Sequence, residues 1–358
     1  MTTTSERPNY DAAVLARMGE LIDRVMTIDI KGRGTVGLFY DALRSRTGAP
    51  LALEAAQRIA KKVGKGDFVV LATGFPVRPW ISGDVGETDG PPGVVALCRA
   101  ISAGLGAIPV VTAPAGMRAQ VEKSLLAGGV LPLTLDEARR AATGLRPTCV
   151  AVVLDYTTDR AEAEAFAERV MAEVNPVFLA AVEHPGANAE GVYHSSVGFD
   201  ISEGAAKIEP LFALARERGV LTMSFIDMPN EIGAGVLLDL AHEKIPFAKT
   251  CVCPCGGGTA GVSHVDHVVV GTTVNWAAYA TVAGLAILLG RADLAASREH
   301  DARTIEAVMH NGGIEGVTGS IWPEAGVDGI STRISGHIVD LLAEVVANAA
   351  HYQSGKPF

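Results

Sequence analysis

The residues best suited to chemistry are acidic and sit where one element hands over to the next. Glu87-Thr88-Asp89-Gly90-Pro91-Pro92-Gly93 puts two carboxylates two residues apart, after an apolar run at 68–72 and the turn-like Thr73-Gly74-Phe75-Pro76. Gly lets the backbone approach a ligand closely and Pro fixes φ, so this loop is expected to be stiff. Asp227-Met228-Pro229-Asn230-Glu231-Ile232-Gly233 repeats the arrangement between an apolar run at 220–226 and a helical pattern from 234. Open α/β sheets bind ligands at such strand ends. Hard oxygen donors favour Mg²⁺, Mn²⁺ or Ca²⁺ over Zn²⁺. Glu87, Asp89, Asp227 and Glu231 are therefore expected to converge on one divalent cation, Mn²⁺ or Mg²⁺ first. Each motif has a plainer alternative, with Asp89 capping the next helix and Glu231 the acidic residue of a first helical turn.

Histidines and cysteines supply a second set. Glu183-His184-Pro185-Gly186 ends the apolar run 177–182, and Tyr193-His194-Ser195-Ser196 and Asp200-Ile201-Ser202 follow. Histidine titrates near neutrality, so His184 and His194 are candidates for general acid or base, against the commoner structural role. Cys251-Val252-Cys253-Pro254-Cys255, with His264 and His267 beyond it, suggests Zn²⁺, although the spacing departs from the usual Cys-x₂-Cys pair. Buried thiols are the plainer outcome. The glycines from 256 to 261 lack both the Lys-Ser/Thr of a P-loop and the order of a dinucleotide fingerprint. Thr272-Thr273-Val274-Asn275-Trp276 opens a long apolar helix, which Thr273 or Asn275 could cap. Asn275 could equally offer its amide to a substrate carbonyl. The Gly-rich stretch 311–319 reads as a structural turn.

The elements that must position these residues follow from composition and period. The 358 residues are 48% hydrophobic and 5% aromatic with 40 Gly, the make-up of an Ala/Val/Leu/Gly-rich globular α/β chain. A formal net charge of −10 with no long basic run argues against a nucleic-acid partner. The longest apolar stretch, 276–289, falls short of the roughly 18 residues a membrane span needs, so it is expected to be a core helix. The first residues lack a secretion-signal pattern, and with five Cys, an odd number, a cytoplasmic protein with reduced thiols is expected. Helical spacing marks N-terminal helices at 9–28, 36–46 and 52–63. Strands are expected at 67–72, 108–111, 149–154, 177–182, 220–226 and 267–270, with 246–253 partly strand. Helices at 94–105, 117–127, 135–142, 161–174, 205–218 and 234–242 alternate with them, and helices at 276–289, 298–309 and 338–349 close the chain. The expected fold is α/β, a mostly parallel sheet with helices on both faces, in a single elaborated domain over 1–358. The apolar C-terminal helices make a homodimer the expected assembly.

Several of these motifs, in order, resemble those of the D-glutamate cyclase-like family. Ala72-Thr73-Gly74-Phe75-Pro76 and Glu87-Thr88-Asp89-Gly90-Pro91 look like its first signatures. Glu183-x-Pro185-Gly186, Tyr193-His194 and Gly198-x-Asp200-Ile201-Ser202 look like the second block, and Asp227-x-x-Asn230-Glu231-Ile232-Gly233-x-Gly235 like the third. Val274-Asn275-Trp276-x-x-Tyr279-Ala280, Gly316-Val317-Thr318-Gly319 and Val327-Asp328-Gly329 look like the fourth. The resemblance implies an intramolecular dehydration that closes a lactam, or its hydrolytic reversal. A carboxylate is a poor electrophile, so a divalent cation would serve as Lewis acid and protonatable groups would move protons. It implies Glu183, His184, His194, Asp227 and Asn275 as catalytic candidates, and Thr73, Gly74, Tyr193, Ser202 and Asn230 as substrate contacts. The family's second block carries Arg after its Glu, where this chain has His184, and an Asn-Met-Arg-Gly-like run, where it has Ser195-Ser196-Val197-Gly198. The third block's Gly-rich run is replaced by Met228-Pro229. Two missing guanidinium groups imply a substrate less anionic than D-glutamate. The alternatives are a metal-dependent hydrolase or lyase acting on a non-lactam small molecule, and a binding protein without catalysis.

Overall fold

Three helices open the chain in the computed structural model, which describes residues 8–142, 144, 148–319 and 324–353. They are α1 (Ala12–Met26), α2 (Thr35–Thr47) and α3 (Leu51–Lys62). Strands and helices then alternate: β1 (Phe68–Ala72), α4 (Pro91–Arg99), β2 (Ile108–Pro114), α5 (Arg118–Ala127), β3 (Leu131–Leu133), α6 (Leu135–Ala142), β4 (Val150–Tyr156), α7 (Ala163–Glu173), β5 (Phe178–Val182), α8 (Glu209–Glu217), β6 (Leu221–Ile226), α9 (Leu238–Lys244) and β7 (His267–Val270). The chain closes with α10 (Val274–Leu289), α11 (Arg298–Met309), the small strands β8 (Gly326–Val327) and β9 (Ile330–Ser331), and α12 (Thr332–Gln353).

β1 to β7 form one parallel sheet in the order β3-β4-β2-β1-β5-β6-β7, with the helices packed around it. Its central strands are continuous apolar runs because both faces are covered; Val69 to Ala72 and Phe178 to Val182 are buried throughout. After β1 the chain winds toward β2, β4 and β3, and from β5 it winds the other way. The switch point therefore lies between β1 and β5, where a crevice opens at the carboxyl ends of the strands. The register pairs Ala72 with Ala181, so the segments after Ala72 and Val182 leave the sheet side by side.

The alternation and parallel sheet agree with the sequence reading, and the differences have local causes. The fourth helix starts at Pro91, earlier than the apolar pattern indicates, since Pro suits a first turn whose N–H groups need no partner within the helix. It continues through a π-helical turn at Ala100–Leu105. The eighth starts at Glu209 rather than 205, again with Pro in its first turn. The segment 246–253 is not a strand, contrary to expectation. It is a series of turns and bends, opened by Pro246 and positive φ at Phe247 and followed by Pro254 and the positive-φ glycines Gly256 and Gly258. β3 is too short to show a period. The β8–β9 hairpin turns on Asp328-Gly329, both at positive φ, as the tightest hairpins require. Helix α10 is apolar all round and buried along almost its whole length, as the core-helix reading expects. Among the described residues, no helix is long and apolar enough to cross a membrane.

Candidate active site

The acidic loop after β1 folds down onto the ends of β1 and β5. Gly90, at φ 94°, comes so close that a Cβ there would lie 2.6 Å from Thr73 Oγ1 and 2.7 Å from Glu183 Cβ, so only glycine fits. Asp89 then reaches the start of α10, where its Oδ2 accepts from Val274 N at 2.8 Å and its Oδ1 from Asn275 N at 2.8 Å. Asn275 returns the contact. Its Oδ1 accepts from Gly93 N at 2.8 Å and Gly90 N at 3.1 Å, and its Nδ2 donates to Thr88 O at 3.3 Å. Each residue thus satisfies orphan N–H groups at the other's helix start. Asp89 caps α10 rather than the next helix in sequence, and Thr273 Oγ1 adds a bond from Trp276 N at 3.2 Å. The C-terminal Gly-rich stretch lies over the same loop: Thr88 N donates to Ile314 O at 3.1 Å and Thr88 Oγ1 to Gly326 O at 2.7 Å.

A cleft of about 270 Å³ opens beside this junction. Glu87, Glu183, Asp227, Asn230 and Asp328 line its floor and side, Arg33 and Arg78 contribute cations, and Phe75, Trp80 and Phe199 contribute rings. Oxygens of Asp89, Asp227 and Asp328 lie within 4.8 Å of one another, as do oxygens of Glu183, Asp227 and Glu231. Asp227 therefore belongs to both groups. Glu231 Oε1 accepts from Asp227 N and Met228 N, both at 2.9 Å, which fixes the loop after β6. Oε2 of Glu231 and Oε2 of Glu183 are buried without a protein partner. Glu183 itself sits at φ 48°, unusual for a side-chain-bearing residue and common at functional sites. Lys31 enters from the segment between α1 and α2, its Nζ 2.5 Å from Asp328 Oδ2 and 3.4 Å from Asp227 Oδ2.

Packed this closely, the carboxyls cannot all ionise. Burial and then the charge of Asp328 push Glu87 and Asp227 well above the ordinary carboxylate range. Burial and then Glu231 do the same to Glu183, and burial and then Asp227 to Glu231. Asp89 rises to about 7, through burial and Asp328, despite its bonds from Asn275 and Val274. Asp328 goes the other way: burial opposes its charge, but Lys31, a hydrogen bond with Asp227 and the charge of Arg33 together hold it below its usual value. Burial also opposes the Lys31 charge, and Asp227 and Asp328 together hold it above the usual ammonium range. An oxygen-only donor set with unpartnered buried oxygens and raised proton affinity suits a hard divalent cation such as Mg²⁺ or Mn²⁺.

The remaining residues singled out from the sequence lie elsewhere. Thr73 and Gly74 sit at the buried end of β1, and Asn275 spends its amide on the helix junction, so none of the three lines the cleft. Tyr193 donates to Glu209 Oε2 at 2.5 Å and its N–H bonds Ser202 Oγ at 3.0 Å, in a buried layer outside the cleft lining. His184 is buried with Nδ1 2.9 Å from Pro185 O, and burial lowers its pKa to about 4, so it is a neutral imidazole. His194 lies against Cys253 and Cys255, at 3.1 and 3.5 Å, away from the carboxylates. The His264 and His267 pairing with the cysteines is not formed: His267 Nε2 is 2.9 Å from Leu51 O and His264 is exposed. Sequence reading did not single out Lys31, Arg33 or Arg78 as site residues. It saw Asp328 only as part of a family-like motif in a turn. The one local signal was Asp328-Gly329, a tight hairpin pair whose Asp must project from the turn.

The family model described as D-glutamate cyclase-like, C-terminal, matches residues 22–343. The human protein named D-glutamate cyclase, mitochondrial, is 25% identical over 226 residues, which is 62% of this chain and 33% of that protein. The chain thus matches about a third of the length of this curated relative.

Proposed function

The chain belongs to the D-glutamate cyclase-like family, and from that premise we propose that it is an enzyme that closes a small amino acid into its lactam, or opens the lactam by hydrolysis. One observation carries this reading: acidic side chains from separate loops converge at one cleft, with the buried Oε2 of Glu183 and of Glu231 lacking a protein partner and Arg33 and Arg78 in the same lining. Burial raises Glu183 while Lys31, Asp227 and Arg33 together lower Asp328, the divergence that keeps an acid and a base ready together at one pH.

Closure forms an N–C bond between the substrate amine and its side-chain carboxyl carbon and releases water. The ammonium must first lose a proton, and the departing oxygen must gain protons. Asp328, held ionised beside Lys31, receives one ammonium proton, and the second nitrogen proton passes to the departing oxygen as the N–C bond forms. Glu183, pushed by burial toward its protonated form and with its Oε2 without a protein partner, delivers the other proton to the departing oxygen. In the reverse direction the two exchange roles. A divalent cation held by Asp227 and Glu231, with Asp89 near, would supply the neutralisation that makes a carboxylate electrophilic. Arg33 and Arg78 come from segments other than the block where the family pattern has arginine. We assign them one carboxylate of the substrate. The absence of arginine from that block is the ground for proposing a substrate less anionic than D-glutamate.

Incubating the protein with D-glutamate, 5-oxo-D-proline, neutral lactams and cyclic imides, in both directions and with and without Mn²⁺, tests the proposal. Turnover of a lactam, an imide or the open amino acid supports it, and its loss in Asp227→Asn with ligand binding retained separates an enzyme from a binder. No turnover of any of them with any metal refutes it.

A further inference from the structure

Away from the carboxylates, two loop segments bring a second set of ligand atoms together. Sγ of Cys251 lies 3.5 Å from Sγ of Cys253 and 3.3 Å from Sγ of Cys255, and His194 Nε2 lies 3.1 Å and 3.5 Å from the sulfurs of Cys253 and Cys255. All four ligand atoms fall within 4.8 Å of one another. Sulfurs this far apart are not disulfide-bonded. A tetrahedron with metal–sulfur bonds of about 2.3 Å and a metal–nitrogen bond of about 2.0 Å has edges of about 3.8 Å between sulfurs and about 3.5 Å between sulfur and nitrogen. The observed separations lie within about half an ångström of those edges.

We infer that Cys251, Cys253, Cys255 and His194 bind one Zn²⁺ that clamps a wall of the cleft. Three thiolates and an imidazole are a soft donor set, suited to Zn²⁺ and unlike the oxygen-only cluster. Four protein ligands leave no open position, so the site is structural rather than catalytic. Binding releases the thiol protons to solvent. Gly257 N–H and Asn188 Nδ2 point at Cys255 Sγ from 3.4 and 3.5 Å, outer hydrogen bonds that orient this ligand sulfur. The clamp has a structural consequence. His194 begins the turn whose residues Ser195, Ser196, Val197 and Phe199 line the cleft, and its carbonyl accepts from Nδ2 of the cleft residue Asn230 at 2.9 Å. The ion would tie that wall to the turns at 251–255, which no backbone ladder holds.

Metal analysis of protein purified under reducing conditions without chelator should find zinc at about one per chain. Co²⁺ added to the chelated, reduced protein should produce thiolate-to-metal charge-transfer bands and tetrahedral d–d bands. Cys253→Ser and His194→Ala should lose the zinc or shift those bands, while Cys149→Ser, remote from the cluster, should keep both. Removing the ion should speed amide hydrogen exchange at 193–200. Cobalt uptake without charge transfer would place the metal among the carboxylates and overturn the inference, as would a disulfide among the three cysteines in the reduced protein. The cobalt titration needs no variant, so misfolding of a variant does not blunt the test.

Discussion

Replacing Lys31 by Met probes the electrostatic logic of the cleft most directly. The Lys31 side chain is 9% exposed, and its ammonium touches Asp328 at 2.5 Å and Asp227 at 3.4 Å. Met keeps an apolar stem of similar size and deletes the charge. At an effective dielectric constant of about 20, the two contacts are worth about 7 and about 5 kcal/mol as bare attractions. Much of this is offset by the cost of burying the ammonium, and Asp227 is itself pushed toward its protonated form. Breaking one side of a buried pair leaves a net penalty of about 3–5 kcal/mol, because the remaining charge loses its partner. Its pH dependence follows by linkage. In the native chain Asp328 is held below its unfolded value, so its stabilisation is present above that value and is lost as pH falls through the lower, folded one. Without Lys31 its folded pKa rises above the unfolded value of about 3.9. The variant then loses stability as pH rises from there. Urea denaturation of both proteins with EDTA should show a gap that widens from near zero at about pH 4 to about 3–5 kcal/mol at about pH 8. Mn²⁺ should narrow it by replacing the missing charge. A gap below about 1 kcal/mol at every pH, the size of an exposed pair, would refute the buried-pair reasoning.

Three further perturbations test neighbouring parts of the argument. Asn275→Ala strands the buried N–H of Gly93, while Gly90 N–H keeps Asp89 Oδ1 at 3.0 Å; at about 1–3 kcal/mol per orphan it should lower stability by about 1–3 kcal/mol in urea denaturation, with turnover falling as the acidic loop loosens. Gly316→Ala puts a Cβ 2.5 Å from Glu87 Oε2; calorimetry should show divalent-cation or substrate affinity falling by about tenfold, about 1.4 kcal/mol, with the unfolding midpoint little changed. Asp23, buried between α1 and α3, is raised to about 6 by burial against the opposing bonds from Ala52, Leu51 and Tyr40. Being raised, it favours the folded state below its unfolded pKa and costs about 3 kcal/mol by the time pH passes 6, and Asp23→Asn should remove that part of the stability–pH slope between pH 4 and 6 in denaturation curves.

What the sequence determined by itself is local. Continuous apolar runs such as Phe68–Ala72 and Phe178–Val182 announce strands covered on both faces, and Gly and Pro clusters after them announce loops at the strand ends. Those features depend only on period and on backbone freedom, so Glu87, Asp89, Asp227 and Glu231 could be placed on strand-end loops without coordinates. Which of them meet was decided by the strand order, which puts the ends of β1, β5 and β6 side by side. Lys31 reaches Asp328 across 297 positions, and His194 reaches Cys253 across 59, whereas the histidines nearer the cysteines in sequence turn elsewhere. No window of sequence records such pairings, because they arise from the packing of helices and loops around the sheet. Asn275 shows the same limit within one residue: its amide suits a cap or a substrate equally well, and only the approach of the acidic loop to the start of α10 assigned it to the cap.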